Sequence, residues 1–120
     1  MLIRQSGVAV FCAALLVIMT ASPALADARS EAQKQVAFGI KVAQDNLWRE
    51  AIARFKNATA LDPSYAEAWN DLAIAYEQDG DLGSARDAYE RALKLDPKNE
   101  YIKQNAELFR EIAERANRQK

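Results

Sequence analysis

Residues 66–99 read AEAWNDLAIAYEQDGDLGSARDAYERALKLDPKN, and this stretch decides the fold. Its apolar residues recur every three or four positions, first in residues 69–76 and then in residues 82–93. Such spacing places them on one face of an α-helix. Gly80 interrupts the pattern between the two runs, and Pro97 follows the second run. The stretch therefore predicts two amphipathic helices joined by a tight turn.

The preceding residues, 32–65, match this stretch at a spacing of 34 residues. The matched positions hold small or apolar side chains in both copies: Ala51 and Ala85, Phe55 and Tyr89, Ala58 and Ala92, Leu61 and Leu95, Phe38 and Leu72. An Asp-Pro pair also follows the second run in each copy. Self-similarity at a fixed period is typical of stacked supersecondary units.

The helical periodicity extends beyond the two copies. It predicts five helices and no strand, with the helices near residues 31–45, 48–61, 65–79, 82–95 and 100–117. Capping boxes are predicted at Ser30 with Gln33 and at Ser64 with Glu67, and single N-caps at Asp81 and Asn99. Because the connections are short, consecutive helices should pack antiparallel.

This pattern resembles the tetratricopeptide repeat family. The second unit carries the family's residues almost completely, at Trp69, Leu72, Ala73, Tyr76, Gly80, Ala85, Tyr89, Ala92 and Pro97. The first unit carries fewer of them, and it departs from the pattern at Gln35, Val42 and Asn46. The resemblance implies an all-α helix-turn-helix solenoid. After a short lead at 27–31 come two repeats, 32–65 and 66–99, and then a C-terminal capping helix and tail, 100–120.

The two ends of the array differ in polarity. Ala68 and Ala75 lie where the family packs a first helix against the preceding unit, but the equivalent residues of the first unit are Lys34 and Lys41. Burying two unpaired ammonium groups is very unfavourable, so we expect the array to begin with this unit. We expect the last helix to be a solvated cap. Its predicted buried face comprises Ile102, Asn105, Phe109, Ile112 and Ala116.

The N-terminal residues 1–26 have the three parts of a secretory signal peptide. One arginine precedes an apolar run, 8–19, and the sequence Ala-Leu-Ala that ends at Ala26 forms a small-residue cleavage site. We expect cleavage between Ala26 and Asp27, which exports the mature chain to the periplasm or the exterior. Because no charge occurs between Gly7 and Ala26, an uncleaved membrane anchor is the alternative.

Composition excludes several function classes. The chain has 16 Lys+Arg and 17 Asp+Glu, a net charge of -1, whereas nucleic-acid-binding domains are usually strongly basic. It has no His, and its single Cys, Cys12, lies in the predicted signal peptide. A Ser-His or Cys-His nucleophile pair and a His-containing metal site therefore cannot form. We expect no cofactor, no metal, no nucleic acid and no enzymatic activity.

The resemblance implies a concave groove, lined by the first helices of the units, that binds a peptide or helix of a partner. The predicted groove residues are Val36, Ile40, Asn70, Ile74, Tyr101 and Leu108. Three of them, Ile40, Ile74 and Leu108, form an apolar row at 34-residue spacing, with Glu67, Glu77 and Glu111 as a rim. Such a surface suits an apolar segment with basic flanks. Intramolecular packing at the helix seams is the alternative role for the row.

Some members of the family bind acidic chaperone tails through a clamp of Lys, Asn and Arg side chains. The matching positions here hold Val36, Ile40, Asp71, Tyr101 and Asn105, so a cationic clamp is lacking. We therefore expect a non-enzymatic adaptor of the cell envelope that binds a different kind of protein segment. A structural module that self-associates through its groove or cap, and a membrane-anchored scaffold, are the alternatives.

Overall fold

The computed structural model describes residues 22–120, so the predicted signal peptide lies outside the described residues up to position 21. The described part is all-α, as predicted, and has no strand. Its helices are α1 (Pro23–Gln44), α2 (Trp48–Leu61), α3 (Ala66–Gln78), α4 (Leu82–Leu95) and α5 (Glu100–Arg118). All but the start of α1 lie within one residue of their predicted bounds.

Helix α1 begins at Pro23, eight residues before its predicted start. Proline is well suited to the first helical position, and the alanine-rich residues that follow have high helix propensity. Ser30 therefore lies inside the helix, and the predicted capping box with Gln33 is wrong. Arg29 lies in these added turns and connects them to the segment between α2 and α3, because its guanidinium pairs with Asp62 and lies 4.4 Å from the centre of the Tyr65 ring.

Two of the remaining caps form as predicted. The Asp81 carboxylate accepts a hydrogen bond from the backbone N–H of Ser84 at 3.1 Å, and the Asn99 side chain caps α5 in the same way. The predicted Ser64 cap is wrong, because the Ser64 hydroxyl donates to Asp62 instead, at 2.6 Å. Ser64 is thereby used inside the turn, and α3 starts after Tyr65 without a side-chain cap.

The turn between the two helices of each unit needs one residue with a left-handed backbone. Gly80 provides it in the second unit with φ 84°, and Asn46 provides it in the first with φ 60°. Asparagine tolerates this region better than most residues with a side chain. In both turns the backbone N–H of the third residue past the helix donates to a carbonyl of the helix's last turn, Leu47 to Val42 and Asp81 to Tyr76. The departure at Asn46 therefore leaves the turn geometry intact.

The core lies along the contacts of α1 with α2, of α3 with α4, and of α2 with α3. Phe55 and Tyr89 are buried within it. The four predicted close-packing positions have no exposed surface: Ala51, Ala58, Ala85 and Ala92. Small side chains at these positions let the helix backbones approach, and the aromatic rings fill the remaining space.

The seams between successive units have the predicted polarity. Ala68 and Ala75 are fully buried, whereas Lys34 and Lys41 are exposed on α1. The C-terminal helix α5 packs against α4 and α3 with Ile102 buried.

The predicted buried face of α5 needs one correction. Phe109 is buried as expected, but Ile112 is 46% exposed and the buried residue is Ala113. Ala113 lies on the same helix face as Phe109 and Ala106, four and seven residues away, so it takes the buried position and the adjacent Ile112 points outward. Asn105 and Ala116, which were also predicted to be buried, are half-buried.

No helix within residues 22–120 has the length and apolar character needed to cross a bilayer.

Candidate functional site

The predicted apolar row is largely accessible. Ile40 of α1 is 42% exposed and Leu108 of α5 is 59% exposed. Ile74 of α3 is half-buried, because it also packs against the core. Tyr101, near the start of α5, is 63% exposed. These four side chains are available to a partner, and their role in binding stays a prediction.

The other two predicted groove residues, Val36 and Asn70, are buried. Val36 belongs to the core, and Asn70 is only 1% exposed. The Asn70 side-chain oxygen accepts a hydrogen bond from the side-chain N–H of Asn105 on α5, at 3.2 Å. The two residues are equivalent in the repeat, and in each case the next first helix covers the position: α3 packs on α1, and α5 packs on α3. The repeat spacing predicts that Val36 and Asn70 lie on the same helix face. How closely the next helix packs determines whether they are buried.

A pocket of about 280 Å³ opens between α1, α2 and α3 on the groove side. It brings Ile40 and Ile74, from successive units, to the same surface. The pocket is lined by Ile40, Ala43, Gln44, Trp48, Phe55, Asp71 and Ile74. Trp48 also packs against the core, so it closes the pair of α1 and α2 as Leu82 closes the next pair.

Asp71 is the single charged residue of this pocket lining. Burial among apolar side chains raises the pKa of the Asp71 carboxyl from 3.8 to about 6. The Asn70 amide opposes this increase in pKa, and the nearby negative charge of Glu67 adds to it. The sequence places Asp71 at a position that matches the family's clamp, but Asp71 is not among the predicted groove residues, because an aspartate adds no cation to such a clamp.

A second polar contact lies further along the same side. The Tyr89 hydroxyl of α4 donates to the Glu77 carboxylate of α3 at 3.0 Å, and the Tyr89 ring packs on Phe109 with centroids 5.2 Å apart. Burial and the neighbouring negative charge of Glu77 raise the pKa of the Tyr89 hydroxyl, so it stays a proton donor. Glu77 is therefore half-buried and tied to α4, whereas the other predicted rim residues, Glu67 and Glu111, are exposed.

The carboxylates on this side form no ion pair within residues 22–120. The ion pairs of that part of the chain join other residues: Arg29 with Asp62, Lys34 with Glu31, Arg49 with Asp79, Lys103 with Glu100, and Arg110 with Glu107. The groove side therefore combines exposed apolar side chains with negative charge that no side chain of residues 22–120 neutralises.

A second depression, of about 470 Å³, lies between α4 and α5. Its apolar lining includes Tyr89, Leu93 and Phe109, and its charged lining alternates in sign, with Arg86, Glu90, Lys103, Glu107, Arg110 and Glu114. One unit earlier α4 packs beside the equivalent place and narrows it without filling it, because a depression of about 610 Å³ remains between α2, α3 and α4. For metals, residues 22–120 contain no group of three His, Cys, Asp or Glu side chains able to hold an ion.

Comparison with protein families gives a match to the tetratricopeptide repeat over residues 37–100. This region contains α2, α3 and α4 with the C-terminal third of α1, and it includes Ile40, Asp71 and Ile74.

Several curated proteins are similar to part of this chain. A chloroplastic tetratricopeptide repeat domain-containing protein of Arabidopsis thaliana is 37% identical over 73 residues, which are 61% of this chain and 24% of that protein. The mouse protein O-mannosyl-transferase TMTC1 is 37% identical over 56% of this chain and 7% of its own length. The wheat Hsp70-Hsp90 organizing protein is 36% identical over 52% of this chain and 11% of its own length. The chain thus spans a quarter or less of these relatives.

Proposed function

Because the chain belongs to the tetratricopeptide repeat family, whose repeats are protein–protein interaction modules, we propose that it is a non-enzymatic adaptor of the cell envelope. Its concave groove binds an apolar peptide or helix segment of a partner protein. Among the relatives, one is named an organizing protein for Hsp70 and Hsp90, and the O-mannosyl-transferase matches over only 7% of its length. These matches favour a binding role over a catalytic one.

The observation that carries the proposal is the accessible apolar row of Ile40, Ile74 and Leu108, extended by Tyr101. Ile40, Ile74 and Leu108 lie on α1, α3 and α5, and Tyr101 lies near the start of α5, so a single elongated ligand can contact all three helices. Scattered exposed apolar residues are common on proteins, but a row that continues across successive repeats offers one continuous contact surface. An extended peptide or an amphipathic helix has the matching shape.

The binding test compares the chain with its Leu108→Ser variant. Leu108 is more exposed than Ile74, so its loss should leave the fold unchanged. We expect a partner captured from envelope extract to bind the variant about 5- to 150-fold more weakly in calorimetry. This range follows from the roughly 1–3 kcal/mol of transfer free energy that an apolar side chain contributes. Ile74→Ser should have a similar effect on binding and a larger one on thermal stability.

Leu95→Ser is the matched control, because Leu95 is also exposed but lies at the end of a second helix, outside the row. It should leave affinity unchanged. Equal affinity of the wild type, Leu108→Ser and Ile74→Ser would contradict groove binding and assign the row to intramolecular packing.

Export is the second part of the proposal, and it rests on the sequence of residues 1–26. Intact-mass measurement of the chain recovered from fractionated cells tests it directly. We expect a species that begins at Asp27 in the periplasmic or extracellular fraction. An intact N-terminus in the membrane fraction would instead support the anchored scaffold, and an intact N-terminus in the cytosol would contradict both.

The depression between α4 and α5 favours self-association as a second candidate function. It lies where the repeat would place a further helix, and its apolar lining includes Leu93 and Phe109. Light scattering over a hundredfold range of concentration distinguishes this function from the adaptor. A mass that rises with concentration in the wild type, and stays monomeric in Leu93→Ser, supports self-association through the cap. A monomer mass that stays constant with concentration contradicts self-association and supports the adaptor function.

A further inference from the structure

We propose that the pocket between α1, α2 and α3 receives a lysine or arginine side chain of the partner segment, whose cation pairs with Asp71. This inference rests on the proposed groove binding and specifies the chemistry of the ligand. The pocket contains one carboxylate among apolar side chains and aromatic rings. Lysine and arginine have the complementary form, with an apolar stem and a cationic head.

The walls of the pocket suit the stem of such a side chain. Ile40 and Ile74 contribute aliphatic surface from two successive units. The half-buried Trp48 contributes an aromatic ring, which attracts a cation placed over its face as well as the methylene groups beside it, and the buried Phe55 forms the apolar floor. With a volume of about 280 Å³, the pocket accommodates a single long side chain and excludes a whole helix.

The charges around Asp71 also favour a cation. The helices α1 and α2 contribute no charged residue to the pocket lining. On α3 the nearest charge is the negative Glu67, and the Tyr65 and Tyr89 hydroxyls complete the titratable groups near the carboxylate. A partner cation would therefore meet attraction from two carboxylates and repulsion from none of these groups. A partner carboxylate would be repelled, which agrees with the lack of a cationic clamp.

The equivalent place one unit later lacks this chemistry. Asn105 occupies the position of Asp71, and its amide donates to Asn70. It has no charge to offer, and Leu108 beside it on α5 remains apolar and exposed. The groove should therefore distinguish the two ends of a ligand, with the basic side chain between α1 and α3 and an apolar side chain at α5.

The pH dependence of binding provides a test that a purely apolar groove does not share. Burial raises the pKa of Asp71 to about 6, so most of the carboxyl is ionised at pH 7.5 and protonated at pH 5. Only the ionised form attracts a cation. Affinity for a lysine-containing ligand should thus fall about tenfold from pH 7.5 to pH 5, and an Asp71→Asn variant should not show this fall.

The experiment uses a displayed library of random twelve-residue peptides, selected against the immobilised chain at pH 7.5. We expect enriched peptides to carry Lys or Arg next to aliphatic residues. The best peptide and its Lys→norleucine analogue are then titrated against wild type, Asp71→Asn and Asp87→Asn. Asp87→Asn removes the same charge from the exposed surface of α4, outside the pocket. In a Trp69→Phe background, the fluorescence of Trp48 reports occupancy of the pocket.

Loss of the peptide lysine and loss of the Asp71 charge should each weaken binding about tenfold, without a further loss when they are combined. Asp87→Asn should bind as the wild type does. A basic preference that persists in Asp71→Asn, or enriched peptides without basic residues, would overturn the inference. If those peptides bound Leu108→Ser more weakly than the wild type, groove binding would still be supported. Enriched peptides indifferent to Leu108→Ser, or no enrichment, would overturn both proposals.

Discussion

The two helical units have the same arrangement of helices, but their equivalent residues differ in burial and in hydrogen bonding. In the second unit Trp69 packs against the core and donates its ring N–H to the carbonyl of Pro63 at 2.9 Å. Its counterpart in the first unit is Gln35, whose side-chain oxygen is buried with no hydrogen-bond partner in the described part of the chain. Leu72 is 3% exposed, whereas its counterpart Phe38 is 43% exposed. The second unit is therefore the better-packed half.

The aromatic residue at the centre of each unit also differs. The Phe55 ring lies directly on Gly39, where an added Cβ would come within 2.5 Å of it. In the second unit Ala73 stands at the equivalent place, and the Tyr89 hydroxyl bonds Glu77 across the helix pair. The second unit packs against the first unit on one side and against α5 on the other, so its residues are closely packed on both sides. Within residues 22–120 the first unit, α1 and α2, packs against a neighbouring unit only on its α3 side, so it tolerates polar and exposed residues on the other side.

The largest expected effect tests the polarity of the seams. Ala75→Lys places an ammonium group at a fully buried position of α3 and should destabilise the chain by about 4 kcal/mol or more. Lys41→Ala, at the equivalent exposed position of α1, should change stability by less than about 0.5 kcal/mol. Denaturant unfolding followed by circular dichroism measures both. Equal effects of the two substitutions would contradict the difference between the two seams.

The next comparison concerns the core of each unit. Leu72→Ala should destabilise by about 2–5 kcal/mol, as expected for a buried leucine. Phe38→Ala should destabilise by about 1 kcal/mol, because the ring is partly exposed and mainly carries the Arg54 guanidinium, 4.3 Å from its centre. The measurement is the midpoint of urea unfolding at constant m-value. A larger loss for Phe38→Ala would mean that the first unit, and not the second, limits stability.

Substitution of Asp71 should increase the stability of the chain, whereas most substitutions decrease it. Its pKa is raised in the folded chain, so the folded state resists ionisation, and stability falls as the pH rises from about 4 to 6 and then stays level. Asp71→Asn should therefore stabilise the chain by about 1–3 kcal/mol at pH 7.5 and have little effect at pH 3.5. Thermal melts at the two pH values measure this. Destabilisation at pH 7.5 would mean that Asp71 has a structural partner.

The smallest effect concerns the turns. Gly80→Ala forces a side chain into a left-handed backbone and should destabilise by about 1 kcal/mol. Asn46→Ala should destabilise less, because the wild-type residue at this left-handed position already has a side chain. Asn46→Gly should stabilise by a few tenths of a kcal/mol. Differential scanning calorimetry resolves these changes. Identical melting of Gly80→Ala and wild type would contradict the requirement for glycine at this turn.

Much of the fold was predictable from local sequence. The helix bounds follow from the 3.6-residue period and the Asp-Pro pairs, and the caps at Asp81 and Asn99 from residue type. The caps predicted at Ser30 and Ser64 were wrong because other contacts competed for them. Pro23 and an alanine-rich segment extend the first helix, and the Ser64 hydroxyl donates its hydrogen bond to Asp62.

The sequence by itself determined the number of units, the polarity of the seams and the face that carries the apolar row, because a fixed period of 34 residues transfers each position to its equivalent. Only the tertiary structure decided which groove residues are reachable. Asn70 and Val36 are buried because the next helix approaches closely, and Asp71 lies in an apolar pocket because three helices meet there. Burial and pKa depend on side chains far apart in the chain, which a periodic pattern does not encode.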